Sequence, residues 1–315
     1  ALDDGSLSGT FNTAMGNNAL TAHTSGTNNT AIGAATLQAN TTGSENTAIG
    51  SSALVANNAS DNTAVGYQAM YLTTSGASNV AVGRRSLRTN TTGQNNIAMG
   101  YSSVYSNTTG SYNTGLGTLS LFANTTGNFN VGVGQDTLRS NTTASNATAV
   151  GYQALYSNTI GVNTAVGSLA LYSNTTGVND AFARNALYNN TTGSLNTAVG
   201  NGSLYDNTTG SNNTAVGREA LGNNTTASNN TAVGYQAGYS NTTGTGNQIF
   251  GAQAGYSLTT GNANTATGWL ALQTTTTGSD NSAYGAFALQ LNSTGNYNVA
   301  VGRQALYANT TASNN

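Results

Sequence analysis

A tetrapeptide of the form Thr-Ala-Val-Gly returns every 17 residues, occasionally every 16, along the whole chain. Its closing Gly falls at 16, 33, 50, 66, 83, 100, 117, 134, 151, 167, 200, 217, 234, 251, 268, 285 and 302, with Ala183 in the one slot that lacks it. The consensus from that Gly reads Gly-Tyr-Gln-Ala-Leu-Tyr-Ser-Asn-Thr-Thr-Gly-Ser-x-Asn-Thr-Ala-Val, in 18 copies. A period of this length is the mark of a repeat architecture, in which one packing problem is solved once and stacked.

Helical coils are excluded by the residues themselves. Gly, Asn and Thr are poor helix formers, and an Asn-Thr-Thr-Gly cluster would interrupt a helix in nearly every repeat. Short strands separated by Asn/Gly turns fit instead. The expectation is an all-β chain: a parallel β-solenoid, or β-roll, of about 18 coils with two short strands per coil. Residues 1–315 then form a single continuous solenoid. The recurring turn Asn-Thr-Thr-Ala-Ser-Asn at 141–146, 224–229 and 309–314 groups the coils into five-coil modules of about 84 residues. Residue 1 enters within a repeat and Asn315 stops just before another Thr-Ala-Val. Neither end shows the polar cap usual for solenoids, so we expect an excerpt of a longer chain, or ends that stack on other copies.

Each column has its own physical demand. Four places after the closing Gly comes an apolar residue: Leu20, Leu37, Leu54, Leu87, Leu121, Leu155, Leu187, Leu204 and Leu306 among others, with Gly238 and Gly255 as interruptions. The residue before it is Ala, Ser or Thr. This alternation of large and tiny side chains suits a narrow core. A column of Asn precedes Thr-Ala-Val (Asn46, Asn62, Asn113, Asn163, Asn196, Asn213 and Asn264), and stacked amides can bond along the axis as ladders. Tyr71, Tyr105, Tyr156, Tyr172, Tyr188, Tyr205 and Tyr307 share another column with Phe122, which predicts aromatic stacking. The turn Gly of Asn-Thr-Thr-Gly suits positive φ. In Thr-Ala-Val-Gly, alternation sends Ala and Gly to one face and Val to the other. With both faces apolar or small, one is expected to fill the coil and the other to meet another subunit.

Composition bears on function mainly by exclusion. Charged residues make up 5 % of the chain, against roughly 25 % in ordinary soluble domains. A net charge of −2 without a basic stripe argues against nucleic-acid binding. No apolar run approaches the ~20 residues that span a bilayer, so no direct membrane insertion is expected. Catalysis needs convergent ionisable groups, and here nine acidic residues are scattered and His23 is the only His. We read His23 as a surface residue, and expect no enzyme activity, cofactor or metal. Gly132-Val133-Gly134 and its relatives are repeat turns, since no Lys-Ser/Thr follows as in a phosphate loop. Asn-Thr-Thr matches the N-glycosylation pattern at eleven places, making Asn107, Asn124 and Asn207 candidate acceptors unless the Asn faces inward.

The Asn-Thr-Ala-Val-Gly strings resemble the head repeats of trimeric autotransporter adhesins. The longer string from Gly151 to Asn158 looks like repeat regions of bacterial surface and phage tail-fibre-like proteins. The resemblance implies a left-handed roll used for adhesion at a cell surface. This chain departs from the adhesin pattern in having 17 residues per coil, and it lacks their coiled-coil stalk and anchor. The function expected is a structural or adhesive extracellular fibre or filament subunit. Its partners would be copies of itself, lateral or end to end, and host or surface glycans. Two alternatives remain. One is an ice-binding solenoid, for which the adjacent turn threonines are poorly placed because neighbours on a strand cannot both face outward. The other is a phage-type tail fibre that binds surface glycan.

Overall fold

The computed structural model describes residues 9–315. Two compact units, one closing at Val162 and the other spanning Asn163–Asn315, repeat the same coil. The first holds strands β1 (Thr13–Met15) to β9 (Thr148–Val150), and the second β10 (Thr164–Val166) to β18 (Val299–Val301). Within each unit, successive strands pair in parallel and in register, so that Val80, Ala81 and Val82 face Ile97, Ala98 and Met99. All regular elements among the described residues are strands.

There is one strand per coil rather than the two expected. The second stretch, Gly-Tyr-Gln-Ala-Leu-Tyr, fails to become a strand because it carries left-handed residues at alternate places. The closing Gly has φ between +118° and +142°, while Gln68 and Met70 follow Gly66 at +56° and +49°. These dihedrals turn successive amides along the axis without a β conformation. The Gln68 N–H donates back to the Ser51 carbonyl of the preceding coil, and the Met70 N–H forward to the Ser86 carbonyl, each at 3.0 Å. Even the core leucines adopt this region: Leu37 at φ +46° and Leu121 at +52°. An L-residue there is disfavoured by roughly 1–2 kcal/mol. The Leu side chains are fully buried, each a gain of about 1.5–3 kcal/mol, which offsets the strain.

Ala183 occupies the closing-Gly slot at φ +118°, where a Cβ is strained whatever the space. Ala183→Gly is therefore expected to raise the unfolding free energy by about 1–2 kcal/mol, readable in a denaturant melt. The turn Gly obeys a different rule from the one expected. Gly93 and Gly110 are not at positive φ. Instead, a Cβ on Gly93 would lie 2.2 Å from the carbonyl oxygen of Gly110 in the next coil. Close approach between coils, not backbone handedness, favours a small residue there: glycine in most coils, and alanine, as at Ala144 and Ala227, in others.

The interior has an apolar and a polar half. Ala of Thr-Ala-Val and the small-Leu pair fill one, and two columns of buried Asn fill the other. Sizes are traded locally. Gly115 and Gly132 replace the strand Ala where a Cβ would meet Ser103 Oγ at 2.6 Å and Ser120 Oγ at 2.5 Å. The coil closing at Gly66 is one residue short, and Asn58 makes up the loss. Its Oδ1 accepts the N–H groups of Thr41 and Thr42 at 3.0 and 2.9 Å, which in a full coil, as at Thr91 and Thr92, both go to a turn carbonyl of the next coil.

Candidate functional site

Inside the coil, the Asn columns are structural. In the column before Thr-Ala-Val, the oxygen of one Asn accepts the backbone N–H of the next coil's Asn, as from Asn96 to Asn79 Oδ1 at 2.9 Å. Its Nδ2 donates to a turn carbonyl, as from Asn79 to Gly93 at 3.0 Å. Asn46, Asn62, Asn113, Asn163, Asn196, Asn213 and Asn264 all lie buried in this column. The Asn of Asn-Thr-Thr forms the second ladder. Asn107 Nδ2 donates to Asn90 Oδ1 and to Gly110 O, both at 2.8 Å.

This corrects the reading of the glycosylation pattern. Asn107, Asn124 and Asn207 are fully buried and their amide nitrogens are engaged in the ladder, so the folded coil presents none of them as an acceptor. Of the two threonines that follow, the first bonds along the axis, as Thr91 Oγ1 to Thr108 O at 2.9 Å. The second faces solvent.

His23 is not a surface residue. Counted from Gly16 it occupies the same ladder position as the buried Asn, and it is 4 % exposed. Its Nε2 lies 3.1 Å from Asn12 Nδ2. Burial lowers its pKa below the ordinary value, opposed in part by a hydrogen bond to the Gly26 backbone. No group of three or more His, Cys, Asp or Glu comes together among the described residues, and they contain no helix long and apolar enough to cross a membrane.

Outside the coil, two features remain. In most strands the central residue is a buried Ala that points inward, with Gly115, Gly132 and Ile249 in its place in β7, β8 and β15, while its neighbours point outward. In the first unit the outward pairs run Thr30 and Ile32, Thr47 and Ile49, Thr63 and Val65, Val80 and Val82, Ile97 and Met99, then on to Thr148 and Val150. None of them is charged. Met99 is 43 % exposed and Val82 37 %, so a strip of apolar side chains lies open along the sheet. Nine strands at ~4.8 Å make it about 38 Å long. In the second unit the outward positions continue with Phe182, Val199, Val233 and Phe250, with Asp180 as the one charge.

No family model matches the chain, and no curated protein matches it. What the geometry establishes is a repeat protein of the parallel β-solenoid type.

The aromatic column is the second outward feature. Tyr172, Tyr188 and Tyr205 stack with centroids 5.2 Å apart, as do Tyr105 and Phe122. Tyr71 and Tyr156 join the column through arginines: Arg88 lies 5.2 Å from the Tyr71 ring and Arg139 5.9 Å from that of Tyr156. Tyr307, in the last described coil, is 39 % exposed, as is Leu306 beside it at 38 %. Leu20, Leu37, Leu54, Leu87, Leu121, Leu155, Leu187 and Leu204 are all fully buried in the apolar half. Sequence reasoning passed over Gly222. Its signal was available: it is the residue at which the Tyr column loses its side chain.

Proposed function

We propose that the chain is a structural or adhesive extracellular fibre subunit that associates with copies of itself through the outward face of its strands. The observation that carries this reading is the uncharged, half-exposed apolar strip of the first unit. Continuous apolar patches of this kind mark interaction surfaces in soluble proteins. A strand face left to water would ordinarily alternate apolar-in with polar-out. Here the outward residue next to the closing Gly is Ile, Val, Met or Leu in β2 to β9. The resemblance to adhesin heads and tail-fibre repeats points to the same class of function, with surface glycans as further partners and no catalytic step.

The test is the mass of the assembly in solution. At micromolar concentration the protein is expected to sediment as an oligomer or filament. Val82→Lys with Met99→Lys should return it to a monomer, with circular dichroism and melting temperature within a few degrees of the parent. A parent that is monomeric throughout would sink the proposal.

A second reading rests on one further observation. The threonines of successive strands, Thr30, Thr47 and Thr63, stand side by side in register. Beside the apolar column they make a regular, uncharged hydroxyl and methyl array of the kind an ice surface would require. Thermal hysteresis that is abolished by Thr47→Lys would favour it over self-association.

A further inference from the structure

The stacked columns show what this fold places between two aromatic rings that are two coils apart. Arg84 lies between Tyr67 and Tyr101, 5.9 Å from each centroid. Arg88 lies between Tyr71 and Tyr105 at 5.2 and 5.7 Å, and Arg139 between Phe122 and Tyr156 at 5.6 and 5.9 Å. Three times a guanidinium fills the interval, held by the attraction of a cation to the ring faces. In the second unit the interval that Arg88 fills recurs between Tyr205 and Tyr239, but the intervening residue is Gly222. The Tyr239 ring leans to within 3.0 Å of where a Gly222 Cβ would stand, and a cavity of about 330 Å³ opens beside it.

Its walls are chemically one-sided. Asp206 and Glu219 both line it. Glu219 is paired with Arg218 at 3.2 Å, whereas Asp206 takes only an amide donor, Asn189 Nδ2 at 3.0 Å. Asn185 also lines the cavity, but its Oδ1, which has no hydrogen-bond partner, is shielded from solvent. Gly202 in the same lining removes a further side chain that would narrow the opening.

We propose that the interval at Gly222 is a binding site for an external guanidinium group, which takes the place that Arg88 and Arg139 hold in the same column of the first unit. Tyr205 and Tyr239 supply aromatic faces and Asp206 the charge. A guanidinium has five donors in a planar fork, suited to both. The group belongs either to a free small molecule or to an arginine side chain of another protein. This site is independent of the strand face and of its proposed role.

The test titrates the 315-residue protein with arginine amide, read by tyrosine fluorescence and by ring proton shifts. Binding should saturate, with lysine amide at least tenfold weaker and methyl glucoside without effect. Gly222→Tyr restores the consensus residue and should abolish the response. Gly222→Arg should do the same, because it supplies the guanidinium from within. Asp206→Asn should weaken binding about tenfold while leaving the fold intact. An acetylated Gly-Arg-Gly amide separates the two sources: equal affinity points to a free small molecule, and a gain of tenfold or more to a protein-borne arginine. Unsaturable shifts, shifts that survive in both Gly222 variants, or equal binding of methyl glucoside would overturn the proposal.

Discussion

Ile249→Ala is expected to lower the unfolding free energy by about 3–4 kcal/mol, within the range of large buried truncations. At the same place in other strands, Ala→Gly would scarcely matter. Ile249 stands where the strand ordinarily carries Ala, and it is buried. The reason lies in the coils on either side, where Gly238 and Gly255 replace the core Leu. A Cβ on Gly238 would come 2.8 Å from Ile249 Cδ1, and one on Gly255 3.1 Å. One large side chain thus fills the space of two missing ones. Gly238→Leu alone should therefore also destabilise, by overpacking of about 1–3 kcal/mol. Combined with Ile249→Ala and Gly255→Leu it rebuilds the consensus coil, and the triple variant should recover most of the parent's stability. Denaturant melts of the three variants give the coupling directly. Losses that simply add would disprove the exchange of size.

Asn207→Ala should be comparably damaging, at about 3–5 kcal/mol, because it strands buried partners rather than volume. Asn207 Nδ2 donates to Asn190 Oδ1 at 2.7 Å and to Gly210 O at 3.0 Å, and its Oδ1 accepts from Asn224 at 2.7 Å. Asn207→Asp makes the same point through pH. A buried carboxylate would face two acceptors, so only its protonated form can donate, and its folded pKa is raised above the unfolded value of about 3.9. The variant's stability is then greatest below that value and falls as pH rises through the folded pKa. Urea midpoints at pH 3.5 and pH 7 should differ by more for Asn207→Asp than for the parent. A midpoint for the variant that does not depend on pH would refute the inward ladder. The column itself contains broken rungs: Leu258 follows Asn241, whose Oδ1 is left without a partner, and Asn40 Oδ1 and Thr73 Oγ1 are likewise unpartnered.

The repeat made much of this legible in advance. Period and register place Leu121, Ala98 and Asn113 in their columns before any coordinates are known, because each column must satisfy the same neighbours in every coil. The conformation of Gly-Tyr-Gln-Ala-Leu was not legible. Gln68 and Leu121 carry no mark of a left-handed dihedral, and only the inter-coil bonds that reward it reveal why they adopt one. His23 was misplaced because its residue type was weighed above its register. Counting seven places from Gly16 sets it among the buried Asn. Gly222 was readable by the same count, as an empty place in an aromatic column, but what surrounds that place depends on side chains from three coils. The turn Gly was read as serving positive φ, whereas crowding against the next coil is what favours a small residue there.

Within each unit a strand pairs with the strand before it and the strand after it, and the amide ladders and stacked rings likewise link successive coils. Loss or gain of one whole repeat therefore leaves every remaining rung closed, so long as the flanking columns match. Near-identical tandem segments are also those in which DNA replication slips most readily. Size-swapped coils such as those around Ile249 would resist such events, since they fit only one neighbour. Elsewhere in the stack, copy number is the property most open to inherited change, and a lineage could lengthen or shorten this molecule without relearning how to fold it.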